Sequence, residues 1–238
     1  MKNLLQLTVI LSIVIAFNLN TFGQHQFGVK VSGGLSRITD SMKSSNLTVT
    51  TPFVPSGQVG FYYNLALGNK SSLGAELNIS QIEGKEKWEV PFVDEYGNSI
   101  GNATALIYRH ISYLSLPVYY GYTIKRLTIN GGFQISYVLS SSGTNESSNN
   151  FTLITEEGNQ IIRREGGMNR ELNDLDIKAF DFGPRAGFIY RLTHRLSMEG
   201  MFYYGLSNIN QIKSTSEKLK IQQMTVGIRY SLWTKVHD

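Results

Sequence analysis

Between residues 127 and 139 the chain alternates without a break. Leu127, Ile129, Phe133, Ile135, Tyr137 and Leu139 take odd positions, with Gly131 among them. Thr128, Asn130, Gly132, Gln134 and Ser136 take even ones, and Val138 ends the polar row. A period of two sustained this long predicts a strand with one apolar and one polar face. The same rhythm runs through 27–36, 58–67, 73–80, 113–122, 181–190, 196–204 and 224–232. Eight strands are predicted.

The links between them alternate as well. Short ones fall at 68–71, 123–126 and 191–195, and long polar ones at 37–55, 83–107, 140–175 and 207–219. Strands joined in this way predict an all-β fold, an eight-stranded antiparallel up-and-down transmembrane β-barrel with four long loops at one end. Period two cannot say which face is outside, because a soluble barrel would turn its apolar face inward around a greasy ligand. Its outer face should then be dense in Lys and Glu. The polar face of 127–139 carries no charge, and only 17% of the whole chain is charged. Small polar residues and glycine suit a crowded lumen. Aromatics agree: Phe27, Tyr63, Tyr120, Tyr122, Tyr190 and Tyr230 fall near the short-turn end, and Tyr137, Phe182 and Tyr204 near the other. Two such belts are expected where a barrel meets both lipid interfaces.

The first residues do not belong to this pattern. Lys2 precedes an apolar run of fourteen residues, 4–17, and Thr21-Phe22-Gly23 offers small residues before a cut that leaves Gln24 first. That is the layout of a secretory signal peptide over 1–23, with the barrel and its loops as the mature chain 24–238. The run is too short for a spanning helix, which needs about 20 residues.

Composition then removes several kinds of chemistry. With no cysteine in the chain, thiolate metal sites, disulfides and cysteine nucleophiles are excluded. The net charge of +4 is spread without a basic block, which argues against nucleic acid as a partner. The four histidines lack metal-ligand spacing, and no nucleophile elbow or phosphate loop is present, so no cofactor, metal or catalytic site is assigned.

Turning the polar faces inward places Lys30, Arg185 and Arg229 in the lumen with Glu76, Asp181 and Glu199. Three charges of each sign in a barrel barely wide enough for its own side chains predict a paired network that fills it. A selective pore would favour one sign of charge. Near the outer rim, His110 and Ser112 share the lipid face, and Glu83 on the preceding strand could join them. Such a trio facing the outer leaflet would resemble a lipid A deacylase, in which a base-activated serine attacks an acyl ester. In the second long link, Trp88, Phe92 and Tyr96 are candidate contact anchors.

Over 27–233 the chain resembles the small outer-membrane β-barrel ("porin family") proteins of Gram-negative bacteria. The residues that carry this are Phe27-Gly28-Val29-Lys30-Val31-Ser32-Gly33-Gly34, Tyr113-Leu114-Ser115-Leu116-Pro117, Asp181-Phe182-Gly183-Pro184 and Tyr203-Tyr204-Gly205-Leu206-Ser207-Asn208-Ile209. The family often has an acidic residue where Ser115 stands and a basic one where Met201 stands. The resemblance implies the cell outer membrane, with lipid and lipopolysaccharide around the barrel and the barrel-insertion machinery as a partner in biogenesis. It describes a fold and implies no pore. Barrels associated with type IX secretion look similar. The expectation is a non-enzymatic barrel acting in envelope structure or surface interaction through its outer loops. The alternatives are an accessory barrel of a secretion complex, a narrow channel and the deacylase.

Overall fold

The computed structural model describes residues 25–40, 48–93, 99–155, 158–162, 168–173, 177–210 and 218–235. They form β1 (His25–Asp40), β2 (Thr48–Thr50), β3 (Val54–Ala66), β4 (Ser71–Val93), β5 (Ser99–Ile124) and β6 (Leu127–Thr155). After these come β7 (Gly158–Ile162), β8 (Met168–Asn173), β9 (Phe180–Arg191), β10 (Leu196–Tyr204) and β11 (Leu219–Lys235). Eight of the strands close a ring in which every pairing is antiparallel: β1, β3, β4, β5, β6, β9, β10, β11 and back to β1. Closure leaves no free sheet edge around the wall, which a lipid environment requires because it offers backbone groups no other partner. Residues 1–24, and with them the expected signal peptide, lie outside the described residues.

The ring is built inside out. Phe133 is 66% exposed on the outer wall, and its neighbour Gln134 is 2% exposed in the lumen. Leu116, Val118, Ile129 and Ile135 also face outward, whereas buried polar and charged side chains outnumber buried apolar ones among the described residues. The outer wall carries aromatic contacts at both ends. Phe27 stacks on Phe61 near the short turns, and Tyr137 meets Phe180 near the other rim.

Three tight connections, at 67–70, 125–126 and 192–195, lie at the end where His25 pairs with Lys235. The two-residue turn between β5 and β6 needs a primed geometry to match strand twist, and Lys125 adopts φ 57° there. At the opposite end two expected long loops are corrected. Much of 83–107 is strand: β4 runs on to Val93, β5 starts at Ser99, and they pair from Glu83↔His110 to Val93↔Ser99. Ser/Asn-rich 140–155 likewise continues β6, paired with β5, β7 and β8. Above the lipid both faces can be polar, so alternation disappears from the sequence although the ladder of backbone hydrogen bonds continues. β2 borders this extension on β4.

Candidate functional site

The middle of the lumen is occupied by charge. Lys30 on β1 places Nζ 2.9 Å from Glu76 Oε2 and 2.6 Å from Glu199 Oε1. Arg185 on β9 grips the Glu76 carboxylate with both Nη atoms, at 3.1 and 3.4 Å. Arg229 on β11 lies between the two acids, 3.7 Å from Glu76 and 3.6 Å from Glu199. None of these five side chains is more than 2% exposed. Asn78 and Ser32 donate further hydrogen bonds to Glu76 and Glu199. Five strands (β1, β4, β9, β10 and β11) contribute, because alternate residues of each project to the same depth of a narrow ring.

Asp181 also points into the lumen, but at a different depth from the other five charges. Tyr203 Oη donates to its Oδ2 at 2.8 Å, and Tyr203 belongs to a different layer of the lumen. The central group therefore holds three cations and two carboxylates. Aromatic faces take up the difference. The Arg229 guanidinium carbon lies 3.9 Å over the Tyr62 ring, and that of Arg185 lies 4.8 Å over Tyr119. A desolvated cation over a ring is stabilised by roughly 2 kcal/mol. Tyr62 and Tyr119 alternate with the apolar positions of 58–67 and 113–122, but their sequence neighbours give no sign that they hold arginines.

Toward the outer end the inward row becomes apolar. Ile38, Ile82, Ile111, Tyr113, Tyr203, Ile209, Leu219 and Ile221 form one buried cluster inside the barrel. Ile38 continues the Lys30, Ser32, Gly34, Ser36 row, and Ile209 reaches in from the connection between β10 and β11. Sequence reading missed this cap because it treated the inward face as uniformly polar. Between cap and charges lies a layer of neutral hydrogen bonds: Ser80 to Gln58, Gln58 to Thr225, Gln134 to Ser136, and Ser136 with Ser115. The lumen is thus filled at three successive depths.

Above the cap, Glu86 is buried and pairs with Arg109. Trp88, a candidate loop anchor, lies in β4 and is half-buried, with Nε1 donating to Glu86 Oε2 at 3.3 Å. Phe92 is also on β4, opposite Gly101. Tyr96 lies outside the described residues. On the outer wall Glu83 pairs across the strands with His110, Oε1 to Nδ1 3.4 Å. Ser112 shares that face two residues along.

An inside-out ring of eight strands, with an apolar outer wall and a packed lumen, defines a small membrane-spanning β-barrel. The model of the outer membrane protein beta-barrel domain family matches residues 18–211. The chain belongs to that family and resides in the cell outer membrane. Among solved structures it is similar to Ail, the attachment invasion locus protein of Yersinia pestis, with a TM-score of 0.42 and 12% identity over 89% of this chain and 100% of Ail. It is also similar to Neisserial surface protein A, with a TM-score of 0.39 and 8% identity over 88% of this chain and 99% of that one. OprG from Pseudomonas aeruginosa gives 0.32 and 12% over 88% of this chain and 95% of that one. No curated protein matches the sequence.

Proposed function

We infer that this protein is a non-enzymatic barrel with a side-chain-filled lumen, acting in envelope structure or surface interaction through the part that rises above the membrane. The observation that supports this most is the filled lumen: paired charges, neutral hydrogen bonds and an apolar cap succeed one another along it. A barrel closed to solute has its outer surface left to work with, and β4, β5 and β6 extend that surface well beyond the lipid-facing belt. Nothing in the fold singles out the secretion-accessory role. In planar bilayers at neutral pH the protein should give no stable open channel of porin size. Large ohmic steps would replace this reading by the channel.

A second reading rests on the Glu83–His110 contact, which lies on the outer wall with Ser112 nearby. A carboxylate-oriented histidine beside a serine could deacylate lipid in the outer leaflet. On the non-enzymatic reading, cells expressing the wild type and Ser112→Ala carry lipid A with identical acyl chains by mass spectrometry. A missing acyl chain that depends on Ser112 would establish the enzyme.

A further inference from the structure

The lumen opens again below the charge layer. At the short-turn end lies a cavity of about 740 Å³, a volume usual for a small-molecule site. Lys70, Arg126, Arg191 and Arg195 line it, with His25 and His194, and among the described residues no Asp or Glu does. The asymmetry extends along the molecule. The three short connections hold Lys70, Lys125, Arg126 and Arg195 and no acid, whereas Glu83, Glu86, Glu89 and Glu146 all belong to the opposite end. Tyr119 lies at the inner limit of the cavity. Its hydroxyl donates to Asn64 Oδ1 at 2.9 Å and accepts from Arg229 Nη2 at 3.0 Å. The cavity therefore backs onto a buried group that itself carries one more cation than carboxylates.

Lys70, Arg126, Arg191 and Arg195 are solvent-exposed around the mouth, and cations gathered about a concave opening raise the local concentration of counter-ions, the more so at low salt. Much of the remaining lining consists of hydroxyls and amides, among them Asn64, Ser72, Thr128 and Ser197, which suit a hydrophilic ligand better than an acyl chain. We propose that this vestibule binds a small soluble polyanion bearing two or more phosphate or carboxylate groups, entering from the periplasm. Arg191 and Arg195 flank the β9–β10 turn and Lys70 and Arg126 the other two, so an anion in the mouth can meet all three connections at once. Anionic lipid headgroups offer the same chemistry, but these four cations line one common cavity together with Asn64, Ser72 and Tyr119.

The test is calorimetric titration of tripolyphosphate into the folded full chain in zwitterionic detergent at low salt. Wild type should bind with a Kd below about 1 mM and lose affinity as salt screens the site. Arg191→Gln with Arg195→Gln should weaken binding at least about tenfold, since each guanidinium–phosphate contact is a charge-assisted hydrogen bond. Lys85→Gln with Lys87→Gln, removing the same charge at the outer end, should leave binding within about twofold. Heat-modifiable migration on gels checks folding. If the arginine pair fails that check, Lys70→Gln with Arg126→Gln replaces it and should also weaken binding. No binding by wild type, or equal losses at both ends, would overturn the proposal. So would binding that persists in phosphatidylcholine nanodiscs and vanishes in phosphatidylglycerol ones, because lipid would then own the cations.

Discussion

Glu76→Gln is expected to destabilise the folded barrel by about 3–5 kcal/mol, the range for breaking a buried ion pair by removing one partner. Glu76 receives Lys30 and both Nη atoms of Arg185, with Arg229 close by, all shielded from water. Glutamine keeps the shape but leaves three buried cations facing Glu199 alone. Unfolding by urea in lipid vesicles, followed by gel migration or tryptophan fluorescence, measures the loss. Adding Arg185→Gln should recover part of it, because two cations then face one carboxylate; a coupling of the two changes is expected for residues in direct contact. A Glu76→Gln protein within about 1 kcal/mol of wild type would mean that the charge layer contributes little, and that the cap and the wall carry the stability.

The second large effect concerns the wall. Phe133→Arg should cost roughly 2–4 kcal/mol of stability in bilayers and impair insertion, since it puts a cation against hydrocarbon near the midplane. Gln134 is one residue away and buried, with its amide donating to Ser136 Oγ at 3.1 Å. Stability alone does not prove orientation, because an arginine at 134 meets a crowded lumen already rich in cations. Nitroxide labels on cysteines introduced singly at 133 and 134 separate the two faces in this cysteine-free chain. Lipid-soluble oxygen should quench the label at 133 and spare the one at 134. The opposite result would falsify the inside-out assignment, because a slip of one residue exchanges the faces along a whole strand.

Much of this architecture follows from local pattern. Alternation at 127–139 specifies the two faces of β6 within the membrane, and the uncharged polar row says which one is wet and crowded. Short polar links name the tight turns. These are consequences of backbone geometry and solvent preference, so a few neighbouring residues suffice to express them.

Other features depend on which strands meet and at what depth. Lys30 finds Glu199 because ring closure sets β1 beside β11 and puts β10 one strand beyond it, although the two residues are far apart in sequence. Asp181 alternates inward on β9 like Arg185, but it lies nearer the outer rim and bonds to Tyr203. Ile38 and Ile82 look misplaced on polar faces until closure stacks them with Ile111 and Ile221 into the cap. The hairpin extension of β4, β5 and β6 leaves no period in the sequence, since no lipid selects one of its faces. Cationic turns spread over residues 70–195 become one vestibule when the ring closes. Side-chain direction is a property of each strand, whereas depth and partnership are set by the stagger of eight strands around a closed wall.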